Sequence, residues 1–229
     1  MCSPFISYSC PGINYAVAES IATFFGNRLF ALQLHLKFII AYQQLLMPDA
    51  LAKHKEIFQI ISNKYKLNRL TVNNIDENYV PLEVLSELLE KLKSVFYVPD
   101  DPITQFKSVI MAIYTKWTDL SLISPRPAES LGMALVVQAM VFGDMNDHSG
   151  TGLAFSRDPI TGVNKISCKY LVKSSSASKH ISDKGERNSW QIDKKLRDEL
   201  TTICTSLEIA YKSMQVRLEP VSSSGLAQY

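Results

Sequence analysis

With 229 residues, the chain can form one large domain or two small ones, and its 46% apolar content is that of an ordinary globular protein. A net charge of +2, with basic residues scattered among acids, argues against a nucleic-acid-binding surface. Cys2, Cys10, Cys168 and Cys204 form no CxxC pair and no disulfide-framework spacing, so free thiols in a reducing cytoplasm are expected.

The N-terminus lacks a basic run and holds Pro4 and Pro11, so no signal peptide is predicted, and residues 1–20 read as an irregular start with a turn at Ser9-Cys10-Pro11-Gly12. From Ile21 to Leu46 apolar residues recur at helical spacing; Gly26-Asn27 starts the main helix and Pro48 ends it. The most apolar window, Leu29 to Met47, contains His35, Lys37 and several Gln, which makes it a buried helix and not a membrane span. His35 reads as a packed or surface helical residue. A second helix follows over Leu51–Leu67, and Thr71–Tyr79 is a polar loop. Pro81 opens a third helix to about Val95, with Leu82, Leu85, Leu88, Leu89 and Leu92 as its apolar stripe. Val98-Pro99-Asp100-Asp101-Pro102 breaks the chain before a fourth helix, Ile103–Trp117. Residues 21–130 thus form a mainly helical section.

The most informative stretch runs from Ala134 to Lys165. An apolar run, Ala134–Phe142, is interrupted only by Gln138 and turns through Gly143-Asp144-Met145-Asn146-Asp147. Ser149-Gly150-Thr151-Gly152 follows, then Leu153-Ala154-Phe155, Arg157-Asp158-Pro159 and Thr161-Gly162. Both apolar segments read as strands, paired with each other. The small-residue loop between them offers backbone N–H groups and two hydroxyls and can approach a phosphate closely, although the same sequence also serves as an ordinary hairpin connection. Gln138, inside an apolar strand, needs a partner for its amide. Arg157 is a cation beside the loop, and with Asp158 it can equally form a structural ion pair. Lys165–Val172 alternates as a third strand, and Ser174–Ser178 opens a serine-rich segment continuing as a polar loop to about Ser189. Ile192–Val216 is a long final helix, and Val221–Tyr229 a frayed end. Residues 131–216 form an α/β section and 217–229 a tail.

The residues Val137-Gln138-Ala139-Met140-Val141-Phe142-Gly143, Ser149-Gly150-Thr151-Gly152, Ala154-Phe155-Ser156-Arg157-Asp158-Pro159 and Thr161-Gly162 resemble the pyruvate, phosphate dikinase family, in the nucleotide-binding domain that precedes its phosphohistidine domain. Pro102-x-x-Gln105-Phe106, leading to a helix that ends in Trp117, matches the segment before that stretch, and Pro11-Gly12 resembles the family's Ser-Met-Pro-Gly turn near the nucleotide. The resemblance implies an α/β fold of the ATP-grasp type, here with a helical N-terminal half and a small sheet around residues 134–172. It implies ATP and Mg²⁺ as cofactors and phosphoryl transfer toward a histidine on a swivelling domain. It makes Ser149, Gly150, Thr151, Gly152, Gln138 and Arg157 the candidate nucleotide contacts.

The chain departs from the family in several places. Ser124-Pro125-Arg126 is kept, but the segment after it is shortened to Pro127-Ala128-Glu129-Ser130. The arginine before the Pro-Gly turn is replaced by Phe5-Ile6-Ser7-Tyr8, and the helix at His35-Leu36-Lys37-Phe38 lacks the family's paired arginines. The metal-binding carboxylates and Gln-x-Arg pair expected after Gln215 are replaced by Val216-Arg217-Leu218-Glu219-Pro220. None of His35, His54, His148 and His180 follows the family's Gly-Gly-x-Thr-Ser carrier pattern, and His148 reads as a solvated loop residue. Neither catalytic nor metal-ligating residues are therefore assigned. The expectation is a partial, cytoplasmic ATP-binding domain acting with a separate phosphohistidine-domain protein, or alternatively a degenerate remnant that keeps the scaffold and binds protein.

Overall fold

A computed structural model describes residues 8–47, 49–67, 70–72, 75, 80–123, 133–145, 149–172, 187–188, 194–212, 217–218, 221–223 and 226–228. The expectations for Pro48, Ser124–Ser130, His148, Ser174–Ser178 and His180 fall outside those residues. The chain divides into two compact units, Met1–Gln138 and Ala139–Tyr229.

The first unit is helical: α1 Tyr15–Phe25, α2 Arg28–Leu46, α3 Ala50–Tyr65, α4 Leu82–Lys93 and α5 Pro102–Ile123. Helix α1 therefore begins inside the stretch expected to be irregular. Asn14 caps it by accepting from the Val17 N–H. Gly26, at φ 63°, ends it in the left-handed region, and Asn27 caps α2 through the Phe30 N–H. Gly26-Asn27 is thus the expected start of the main helix.

Helix α2 is the axis of this unit, with α1, α3, α4 and α5 packed on it. Its buried residues, among them Phe30, Leu34, Phe38 and Tyr42, lie all round the helix, so it has no solvated stripe. By length and composition it is the one described helix able to cross a membrane, yet more than half of it is buried within the protein. Helix α4 buries Val84, Leu85, Leu88, Leu89 and Leu92, while Leu82 is partly exposed, and α5 turns Gln105, Val109 and Ile113 inward.

Two glutamines tie the unit together. The buried Gln43 amide donates to the carbonyls of Leu92 at 2.7 Å and Phe96 at 3.0 Å. Its Oε1 then faces His54 Nε2 at 2.7 Å, which puts the proton of the neutral imidazole on Nε2. Gln105 accepts from the Gly12 N–H at 2.9 Å and donates to the carbonyls of Ile13 at 3.2 Å and Pro99 at 2.6 Å. The Pro-x-x-Gln-Phe motif therefore anchors the N-terminal turn to α5.

The second unit is one antiparallel sheet with helix α6, Lys194–Tyr211. Strand β1, Gly150–Phe155, pairs along its whole length with β2, Ser167–Val172. Beyond β2 lies β3, Arg187–Asn188. The other edge of β1 takes β4, Arg217–Leu218, and β5, Val221–Ser223, and β5 pairs with β6, Leu226–Gln228. Ala154, Cys168, Leu196 and Leu200 form the core between sheet and helix, with Ile166 and Tyr170 against them.

Mixed α/β structure agrees with the sequence, but three local expectations are corrected. Residues 133–142 form no strand; Val136 is 84% and Val137 71% exposed. Both edges of β1 are occupied by other strands, which leaves that run no ladder to join. The described residues of the tail expected to be frayed form strands: β4 and β5 lie on the second edge of β1, and β6 pairs with β5. The Ser149–Gly152 segment is not a loop, since Gly150–Gly152 lie within β1.

Two consequences are measurable. Burial foremost, and then Lys93, pushes the His35 imidazole down to about 4, and burial lowers that of His54. Unfolded, each titrates near 6.5, so the unfolded chain binds protons that the folded one resists. Stability is full above pH 6.5 and falls as pH drops toward 4, by at most about 3 kcal/mol for His35. Urea unfolding across that window should show the decline and a shallower one in His35→Leu; identical slopes would place the acid sensitivity elsewhere. Separately, Gln105→Leu strands the Gly12 N–H and the Ile13 carbonyl, each at a cost of about 1–3 kcal/mol, and should lower the thermal midpoint well beyond an exposed control such as Thr104→Ala.

Candidate functional site

Successive residues of a strand face opposite sides of its sheet. The β1–β2 register places Gly150 opposite Val172, Gly152 opposite Tyr170 and Ala154 opposite Cys168. Ala154 and Cys168 belong to the core against α6, so Gly150 and Gly152 face the helix side too. What fills the space over them is Tyr170. A Cβ on Gly150 would collide with the Tyr170 ring and hydroxyl and come within 2.5 Å of the Leu171 carbonyl oxygen. On Gly152 it would lie 2.8 Å from the Lys169 carbonyl oxygen. Tight strand pairing beneath an aromatic ring accounts for both glycines.

Ser149 and Thr151 are buried and already engaged within the fold. The four residues come together by sequence, Ser149 just before β1 and Gly150–Gly152 within it, a strand whose two edges both carry ladders. Gln138, in the first unit, is exposed, so water satisfies the amide that a buried strand would have left needing a partner.

Arg157 does form an ion pair, but with α6 and not with Asp158. Its Nε donates to Glu208 Oε1 at 3.1 Å and its Nη2 to Oε2 at 3.2 Å, the two-point geometry that a guanidinium and carboxylate favour. Ser156 Oγ donates to the same Oε1 at 2.6 Å. These contacts, Arg157 first, hold the Glu208 carboxyl below its ordinary range. Asp158 instead closes the following turn by accepting from the N–H groups of Thr161 at 2.8 Å and Ile160 at 2.9 Å, which lowers its own carboxyl in turn. Gly162, at φ 71°, completes that turn. The sequence held no local signal for Glu208, which follows Arg157 by 51 residues.

The other candidates are structural. Gly12, at φ 104°, donates its N–H to Gln105, so the Pro-Gly turn is anchored through the donor it would offer a ligand. Burial raises the Cys168 thiol to about 11 and also raises Cys204, keeping both protonated and unreactive. Among the described residues no three His, Cys, Asp or Glu side chains converge as metal ligands.

Gly150→Ala forces a backbone or ring displacement in β1–β2 and should destabilise the protein by about 1–3 kcal/mol or more, as overpacking does. The urea midpoint of the variant measures this. An unchanged midpoint would mean that Tyr170 and the strand yield, returning the glycines to a role in ligand approach.

No family model matches the chain. It is similar to pyruvate, phosphate dikinase of Rickettsia prowazekii (strain Madrid E), 29% identical over 170 residues, which cover 70% of this chain and 18% of that protein. It is 29% identical over 223 residues to pyruvate, phosphate dikinase 1, chloroplastic, of Oryza sativa subsp. japonica, covering 89% of this chain and 22% of the relative. The Arabidopsis thaliana protein of the same name is 30% identical over 221 residues, with the same coverage of 89% and 22%. The chain thus spans about a fifth of the length of the curated relatives it matches, and it is a distant homologue of pyruvate, phosphate dikinase over most of its own length.

Proposed function

We propose that the chain is an ATP-binding fragment of the dikinase type, ATP-grasp-like in its α/β unit, which participates in phosphoryl transfer toward a histidine on a separate protein. The observation that carries this reading is the similarity to pyruvate, phosphate dikinase over 70% to 89% of the chain. It is supported by a buried strand beginning at Gly150 and leading into the Arg157-Asp158 turn. In this reading Ser149, Gly150, Thr151 and Gly152 border the nucleotide phosphates, with Gln138 and Arg157 as polar contacts. Arg157 keeps N–H groups beyond the two it gives Glu208 and can add charge stabilisation to a transferring phosphoryl group. The protein acts in the cytoplasm.

A second reading, a non-catalytic scaffold that binds protein, is favoured by the Tyr170 ring over Gly150 and Gly152 and by the capture of Arg157 by Glu208. Calorimetry with ATP, with and without Mg²⁺, separates the two. Saturable binding, weakened several-fold in Arg157→Gln and in the exposed Gln138→Ala, is the expected result. No ATP heat at millimolar nucleotide would leave the scaffold reading standing.

The chain by itself should not make phosphoenolpyruvate, because none of its histidines has the family's carrier pattern. Purified protein incubated with ATP, Mg²⁺, pyruvate and phosphate should yield no phosphoenolpyruvate. Its formation at a rate tracking protein concentration, abolished by His148→Ala, would make the chain a complete enzyme.

A further inference from the structure

Within the second unit a cleft of about 730 Å³ opens between the Ser156 end of β1, the segment 164–169 and one face of α6. Its volume lies in the range of small-molecule sites, about 300–1,000 Å³. The floor is apolar and sulfur-rich, made by Ile166, Cys168 and Cys204. The rim is cationic: Lys165, Lys169 and Arg197 all line it. Glu208 is the one acid in the lining, and Arg157 and Ser156 already hold it.

Among the described residues neither Lys165 nor Arg197 has a carboxylate within ion-pair distance, although Lys165 lies close enough to Asp158 to help lower its carboxyl, and both are exposed. The first described turn of α6 holds Lys194, Lys195 and Arg197 and no acid. Asp198 and Glu199 follow in the next turn, so the positive character at the Arg197 end of the cleft comes from Arg197 itself and the helix N-terminus. Thr201 and Thr205 spend their hydroxyl protons on the carbonyls of Arg197 and Thr201 and present only lone pairs to the cleft. The available donors are therefore Lys165 and Arg197, with Ser167 and Asn164 beside them.

From this arrangement we infer that the cleft binds a small molecule bearing a phosphate group, its anion held between Lys165 and Arg197 and its less polar part over Ile166, Cys168 and Cys204. A doubly charged tetrahedral anion answers two separated cations and the guanidinium fork better than a single carboxylate does. The site uses none of Ser149–Gly152 or Gln138, and it stands whether or not the dikinase reading does.

Calorimetry at low salt with two probes, inorganic phosphate and AMP, tests it, alongside amide chemical shifts at Ser167–Lys169 and Arg197–Thr205. Saturable binding is expected for both, at least tenfold tighter for AMP, with shift changes confined to those segments. Lys165→Ala/Arg197→Ala, two exposed changes that leave the core untouched, should weaken AMP at least tenfold while circular dichroism is unchanged. Ile160→Ala, an exposed change outside the cleft, should keep full AMP affinity, and the amide shifts at Ser167–Lys169 and Arg197–Thr205 separate binding in the cleft from any nucleotide contact at Ser149–Gly152. Undiminished AMP binding in the double variant, or no saturable binding of either probe, would overturn the inference. Equal affinity for phosphate and AMP would overturn the part played by the floor.

Discussion

Strand β1 carries partner strands on both edges. β2 pairs with its full length on one side, β4 and β5 occupy the other, and Tyr170 covers its two glycines on the helix face. A strand so enclosed can tolerate neither a Cβ at Gly150 nor a further neighbour in the sheet. The exclusion of residues 133–142 follows from the second constraint. An apolar run of that composition gains from a sheet only when a partner with open N–H and C=O groups is available. Short C-terminal strands have taken that place, and the run is left without regular structure.

That competition also explains which parts of the fold were legible in the sequence. Helices α2, α3 and α4 are specified by local information: cap residues at Asn27 and Pro81, and apolar residues at helical spacing. Their limits could be read to within a few residues because the competing structures are excluded locally. Strand pairing is a choice among distant segments. Ala134–Phe142 has the more strand-like composition, while Val221–Ser223 and Leu226–Gln228 are short and flanked by serine and glycine. Composition ranked them one way and the closing of the sheet ranked them the other. The Ser-Gly-Thr-Gly segment was misplaced for the same reason: small residues mark close approach, but not what approaches. Here it is the Tyr170 ring, a residue that no local pattern connects to Gly150.

Buried amides in the helical unit solve a different problem. Helix ends and turns expose carbonyls that burial would leave unpaired. Gln43 takes two of them, at Leu92 and Phe96, and Gln105 takes two more, at Ile13 and Pro99. Each glutamine uses its remaining oxygen on a donor from another segment, His54 Nε2 or the Gly12 N–H. A buried amide satisfied in this way fixes the relative position of three segments at once, which apolar packing alone does with less geometric precision. The Pro-Gly turn and the Gln-Phe motif, separate features in the sequence, are one hydrogen-bonded structure.

The two arginines near α6 show why a charge in sequence is a poor guide to a binding group. Arg157 lies in the segment that most resembles a nucleotide site, yet Glu208 neutralises it at two points. Arg197 carries no motif, yet it lines a cleft with no carboxylate opposite it and stands at a helix end that already favours anions. Glu208 follows Arg197 by three turns, about 16 Å along the helix axis. One face of α6 therefore presents a satisfied ion pair at one end of the cleft and an unsatisfied cation at the other. A negatively charged ligand gains less at the first end, where Glu208 already neutralises Arg157. It gains at the second, where it meets Lys165, Arg197 and the positive end of the helix dipole. The direction of that field, set by where α6 places one glutamate, decides which end of the cleft receives an anion.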